Sequence, residues 1–193
     1  MLPIALDLAR LPVILVGRGA ATCRRLSQLD QAGAGRLAVF SDRPAPALIA
    51  AAGDRLRHRL PDRGDLAAAA VLLVCDLPSA DARALADAAR ALGLLRNVED
   101  AIALCDFHMP AIVRRGDLVL AISTGGKSPG LARALKQWLE RLLDARWGER
   151  LTALAQRRQQ WRARGHTAPA LGALTRRAIV RAGWLSDTDR GAA

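Results

Sequence analysis

Val13-Ile14-Leu15-Val16 is an unbroken apolar run, and Gly17-Arg18-Gly19 follows it at once. A run this short and this uniformly β-branched or aliphatic reads as a strand buried on both faces. The next segment, from about Ala20 to Gln31, carries Cys23, Leu26 and Leu29 at helical spacing and stops at Gly33 and Gly35. The unit then recurs. Strands are expected at Leu37 to Phe40, Leu56 to Leu60, Val71 to Cys75 and Leu94 to Val98. Between them fall a short helix over 47–52, opened by Pro44-Ala45-Pro46, and a helix over 80–92 with Ser79 as its expected cap. Strands alternating with helices over about a hundred residues predict an α/β, Rossmann-like parallel sheet.

The pattern changes after Phe107. Ala111-Ile112-Val113 and Leu118 to Ile122 flank Arg114-Arg115-Gly116-Asp117, a strand–turn–strand unit. Ser128-Pro129 then starts a helix, serine as cap and proline in the first turn, with Leu131, Leu135, Trp138 and Leu142 on one apolar face. From Arg146 the chain is arginine-rich and helical, with a break over 165–169 and frayed residues expected from Asp187 to Ala193. The division expected is a dinucleotide-binding domain over 1–110, a dimerisation region over 111–146 and a helical region over 147–193.

The 193 residues carry a formal charge of +11. Such a charge draws nucleic acid, anionic surfaces or acidic small molecules. Here, however, Lys127 and Lys136 are the only lysines and alanine is abundant, the signature of a bias toward Arg and Ala codons. Nucleic acid is therefore not the expected partner. No apolar run has the length of a membrane span and no signal peptide is evident, so a cytoplasmic protein is expected. Cys23, Cys75 and Cys105 are isolated from one another and read as buried, reduced thiols, and no metal-ligand cluster stands out.

Gly-x-Gly between a strand and a helix allows a tight turn and close approach of backbone to a pyrophosphate, which the helix N-terminus attracts. Gly17, Arg18, Gly19, Ala20 and Ala21 are the expected cofactor-binding residues, with NAD as cofactor. Asp42, closing the second strand, stands where an acid accepts ribose hydroxyls and repels a 2′-phosphate. A plain turn residue is the alternative there. Thr22 occupies the position where a third small residue is usual, which bears on the packing of helix against strand. Glu99-Asp100 ends the fifth strand, where a carboxylate can move protons beside a nucleotide crevice; Glu99 reads as solvated. Gly125-Gly126 can offer N–H groups to anionic oxygens.

Gly17-x-Gly19, Asn97-Val98-x-Asp100, Cys105-Asp106-Phe107, Pro110-Ala111-Ile112-Val113-x-Arg115-Gly116 and Ser123-Thr124-Gly125-Gly126-Lys127-Ser128-Pro129 together resemble the precorrin-2 dehydrogenase/sirohydrochlorin ferrochelatase family, the siroheme synthase N-terminal module. The resemblance covers about residues 2 to 145 and is strongest from Asn97 to Leu135. It implies NAD-dependent oxidation of precorrin-2 to sirohydrochlorin, followed by ferrous iron insertion, in a homodimer that holds a tetrapyrrole. It implies Asp100 as the catalytic acid–base group. The substrate being a polycarboxylate, Arg115, Thr124, Gly125, Gly126, Lys127 and Ser128 become the substrate-binding candidates; for Arg114 and Arg115 a solvated turn is an equal alternative. His108 is a candidate helper in chelation. Val74-Cys75-Asp76 departs from the Ala-Ala-Thr frequent after the fourth strand in the family and, with Thr22, bears on NAD binding more than on tetrapyrrole binding. The alternatives are a chelatase alone and a non-catalytic nucleotide- or tetrapyrrole-binding sensor.

Overall fold

The computed structural model describes residues 2–185, so the expectation for Asp187 to Ala193 lies outside the described residues. The chain forms two compact units that divide between His108 and Met109.

The first unit is built on five strands: β1 (Pro12–Val16), β2 (Arg36–Phe40), β3 (Leu56–Arg57), β4 (Val71–Val74) and β5 (Leu95–Val98). All pair in parallel, in the order β3-β2-β1-β4-β5. Val13 pairs with Leu37 on one side and Val71 on the other, so the central strand is hydrogen-bonded along both edges. Its apolar run is explained by burial on both faces: Val13, Ile14, Leu15 and Val16 are all buried. The order reverses between β1 and β4, and the crevice outside the carboxyl ends of these strands is where such sheets bind ligands.

Four helices belong to this unit: α1 (Ala20–Gln31), α2 (Pro46–Ala52), α3 (Arg63–Ala67) and α4 (Ser79–Ala91). Helix α1 buries Ala21, Thr22, Leu26 and Leu29, a stripe with helical spacing. Leu85, Ala86 and Ala89 of α4 join Leu72, Val74 and Val98 in the core. Two expectations are corrected, and one helix was not anticipated. The strand expected over 56–60 pairs only at Leu56 and Arg57, because Pro61 and the α3 cap follow closely. Ser79 does not cap α4: it is the first helical residue, and Pro78 stands at the cap. Helix α3 was missed, although Asp62 and Asp65 form a reciprocal capping box, Asp62 Oδ1 accepting from Asp65 N at 2.9 Å and Asp65 Oδ2 from Asp62 N at 2.8 Å.

The second unit opens with an antiparallel pair, β6 (Ala111–Arg115) and β7 (Leu118–Ile122), in which Ala111 faces Ile122 and Val113 faces Leu120. Gly116, at φ 57°, makes the turn between them. Helices α5 (Pro129–Leu142), α6 (Arg146–Ala163) and α7 (Ala168–Arg181) follow. Ser128 Oγ accepts from Leu131 N at 3.2 Å, so the expected cap of α5 is formed. Among the described residues, the hydrophobic ones buried here are Val113, Ala132 and Leu171, a thin core for three helices. In contrast Leu131, Trp138 and Leu142 on α5 are 52%, 51% and 41% exposed. Farther along, Trp147 and Trp184 meet edge to face at 6.5 Å, and the Arg150 guanidinium lies over both rings.

Among the described residues no helix is long and apolar enough to cross a membrane.

Candidate functional site in the first unit and the glycine loop of the second

Gly17 sits where β1 turns into α1, and the geometry forbids any side chain there. A Cβ on Gly17 would fall 2.0 Å from Thr22 Oγ1 and 2.3 Å from the Cys75 carbonyl oxygen. Thr22 therefore does not hold helix and strand apart. It is fully buried, and its backbone N and Oγ1 donate to Asp76 Oδ2 at 2.9 and 3.1 Å. Asp76 reaches this position from the end of β4 through a left-handed backbone, φ 52°. Its carboxylate lies at the positive end of α1 and satisfies one first-turn N–H. Those of Ala20 and Ala21 have no acceptor within the helix. The turn thus fits a pyrophosphate through the backbone from Arg18 to Ala21, with Asp76 as an acidic neighbour.

Asp42 carries an unexpected partner. Arg18 Nε and Nη2 donate to its two carboxylate oxygens, each at 2.7 Å, and Nη2 also reaches Asp81 Oδ2 at 3.3 Å. Arg18's hydrogen bonds and charge hold the Asp42 carboxyl below the usual carboxylate range. The expected ribose acceptor is thus present at the end of β2, but it already holds an arginine 24 residues earlier in the chain. Asp81 borders a recess of about 290 Å³ lined by Leu60, Pro61, Leu66, Leu85 and Ala88.

Asp100 lies just beyond β5, two strands from β1 in the sheet order. Its backbone is left-handed, φ 62°, and it is exposed to solvent. The stretch beyond it is tied back to β5. Asn97 Nδ2 donates to the Phe107 carbonyl at 2.9 Å, Val98 N donates to Cys105 Sγ at 3.2 Å, and Arg96 pairs with Asp106 at 3.0 Å. Arg96 is 5% exposed and also donates to the Ala86 carbonyl. These ties fix the path of the loop that presents Asp100. Sequence reasoning named Asn97 and Cys105 only as motif positions. Their anchoring role needed the distance from β5 back to 105–107.

Glu99 corrects its expectation. Its side chain is only 26% exposed, it lies 3.8 Å from Arg24, and its Oε2 is buried without a hydrogen bond. Burial first, and the Glu99 charge second, push the neighbouring Cys75 thiol up to about 12. Cys75 is buried as expected, whereas Cys23 and Cys105 are partly exposed.

The remaining expected site residues lie in the second unit. Gly125 and Gly126 are both left-handed, φ 63° and 78°. The loop is closed on itself: Gly125 N donates to Ser123 Oγ, Lys127 N to the Thr124 carbonyl, and Ser128 N to Thr124 Oγ1. Thr124 Oγ1 also donates to the Ser128 carbonyl at 3.1 Å. The Gly125 N–H is therefore not free for an anion as expected, because Ser123 takes it. Lys127 is exposed at the loop's apex. Arg115 is spent differently from a substrate counter-charge. Its guanidinium donates to the carbonyls of Leu143 and Glu140 at 2.5 and 2.9 Å, closing the C-terminal end of α5, and to that of its neighbour Arg114 at 3.0 Å. His108 is exposed, and among the described residues no three His, Cys, Asp or Glu side chains gather as metal ligands.

Residues 4–111 match the family described as "Putative NAD(P)-binding", and residues 115–142 match the one described as sirohaem biosynthesis protein central. A siroheme synthase of Thiobacillus denitrificans is 40% identical over 168 residues, 81% of this chain and 33% of that protein. One of Methylococcus capsulatus is 37% identical over 151 residues, 76% of this chain and 31% of that protein. The chain spans about a third of the length of these curated relatives. Among solved structures, the precorrin-2 dehydrogenase SirC superposes with a TM-score of 0.78 at 23% identity, over 98% of this chain and 95% of that one, a likeness of fold. With an NAD(P)-binding sheet and a sirohaem central segment in tandem, the chain belongs to the family of the siroheme synthase N-terminal module.

Proposed function

We propose that this chain catalyses the NAD-dependent oxidation of precorrin-2 to sirohydrochlorin in siroheme biosynthesis. The observation that carries the reading is the tandem match of residues 4–111 and 115–142, with Asp100 following β5 at the same carboxyl end of the parallel strands as the Gly17-Arg18-Gly19 turn that follows β1. NAD supplies the hydride acceptor when bound. The residues that hold it are the backbone of Gly17, Arg18, Gly19, Ala20 and Ala21 for the pyrophosphate and Asp42 for the ribose. The recess beside Asp81 suits an adenine ring in size and apolar lining.

Oxidation breaks one C–H bond with its electron pair and releases a proton. Asp100, exposed to solvent at the end of β5, takes that proton. Its left-handed backbone, anchored through Asn97, Arg96 and Cys105, fixes where the carboxylate is presented. Lys127 offers a cationic apex for substrate carboxylates, with the Gly126 N–H beside it, on a loop that Ser123, Thr124 and Ser128 hold in shape. Insertion of ferrous iron as substrate follows on the same base, since metallation of sirohydrochlorin releases two pyrrole protons. The chain acts as a homodimer. The exposed apolar face of Leu131, Leu135, Trp138 and Leu142 on α5, above a thin core, supports that assembly.

The test is anaerobic incubation of the protein with precorrin-2 and NAD, following NADH absorbance and the sirohydrochlorin spectrum. Equimolar appearance of both is expected. Tetrapyrrole bound without oxidation would leave a chelatase or a sensor instead.

A further inference from the structure

An acid at the end of the second strand selects NAD because a lone carboxylate repels the 2′-phosphate of NADP, whereas a nearby arginine accommodates that phosphate. In this chain the acid does not stand alone. Arg18 holds both oxygens of Asp42 at 2.7 Å and reaches Asp81 at 3.3 Å, and the exposed Arg43 adds its charge beside Asp42. Two carboxylates and two guanidiniums balance at this corner, so the repulsion expected from Asp42 is largely cancelled. The side chains of Arg18 and Asp42 are 20% and 30% exposed, open enough to exchange partners.

We propose that Arg18, assisted by Arg43, makes the adenosine end of this site accept NADP as well as NAD. The inference rests on the cofactor reading above and deepens it. Toward NAD, Arg18 stays on Asp42, whose oxygens keep further lone pairs for the ribose hydroxyls. Toward NADP, the Arg18 fork turns from Asp42 to the 2′-phosphate, a bidentate exchange of one oxyanion for another. Arg18 fills the variable position of the glycine turn, which places its side chain at the ribose end while its backbone serves the pyrophosphate.

The test is calorimetric titration of the full chain with NAD and with NADP. The intact protein is expected to bind NADP within about tenfold of NAD. Arg18→Ala is expected to weaken NADP by about tenfold or more relative to NAD, the range of a charge-assisted hydrogen bond, whatever the turn's shared contacts lose for both. Asp42→Asn, which releases Arg18 and keeps the side chain's shape, is expected to tighten NADP and weaken NAD, and it carries the test if Arg18→Ala does not fold. NAD bound with NADP more than about a hundredfold weaker overturns the proposal and leaves the cofactor reading standing. Equal losses for both dinucleotides in Arg18→Ala also overturn it. Binding of neither dinucleotide by the intact protein overturns the cofactor reading itself, and this proposal with it.

Discussion

Thr22 and Asp76 lock the first turn of α1 to the end of β4: one carboxylate oxygen accepts both the backbone N–H and the hydroxyl of Thr22, at 2.9 and 3.1 Å. This explains how a threonine replaces the usual third small residue of the glycine turn. The hydroxyl is satisfied in the core, and its partner is the acid that would otherwise face the pyrophosphate unpaired. On the proposed cofactor reading the same carboxylate opposes binding, because it places negative charge at the helix end the dinucleotide would approach. Asp76→Asn keeps an acceptor oxygen and a residue tolerant of the left-handed backbone. It is expected to tighten NAD severalfold in a calorimetric titration. Weaker binding would mean that the Asp76 charge organises the site rather than opposing it.

Gly17 tolerates no side chain, since a Cβ would penetrate both Thr22 Oγ1 and the Cys75 carbonyl. Gly17→Ala is expected to lower stability by about 3 kcal/mol, the upper part of the overpacking range, and to displace α1 from β1. Denaturant unfolding measures this, and an unchanged midpoint would contradict the packing described.

Cys75 links stability to alkaline pH. Burial raises its pKa in the folded protein from 9.0 to about 12. Above pH 9 the unfolded chain releases the thiol proton while the folded chain retains it. Stability is therefore complete below about pH 9 and falls as pH rises toward 12, at up to about 1.4 kcal/mol per unit. Melting temperatures from pH 8 to 11 are expected to fall in the native protein and to fall less in Cys75→Ala.

The α5 stripe gives a prediction about assembly. Trp138 is 51% exposed between Leu135 and Leu142 on the same face. Trp138→Glu is expected to yield a folded monomer in sedimentation velocity where the native chain sediments as a dimer. A native monomer at micromolar concentration would refute the proposed homodimer.

The sheet was largely legible in the sequence because parallel strands covered on both faces carry continuous apolar runs, as Val13 to Val16 and Val71 to Val74 do. Helix α1 and the Ser128 cap were legible for equally local reasons. Side-chain pairings across the fold were not. Arg18 meets Asp42 only because β1 and β2 are neighbours in register, and Thr22 meets Asp76 only because β4 lies against β1. Arg115 looked like a free cation in a turn, yet the end of α5 returns to it with two acceptors, the carbonyls of Glu140 and Leu143. Pairings separated by tens of residues leave no trace in composition or period. The α3 cap was different, since Asp62 and Asp65 stood at capping-box spacing in plain view.

The most direct test of the central claim is Asp100→Asn in the anaerobic precorrin-2 and NAD reaction. Asparagine tolerates the left-handed backbone at φ 62° but cannot take the proton. The account predicts a rate lower by about a hundredfold or more, the usual contribution of a positioned base, with melting temperature and NAD affinity unchanged. A folded Asp100→Asn protein that oxidises precorrin-2 at the native rate would contradict it.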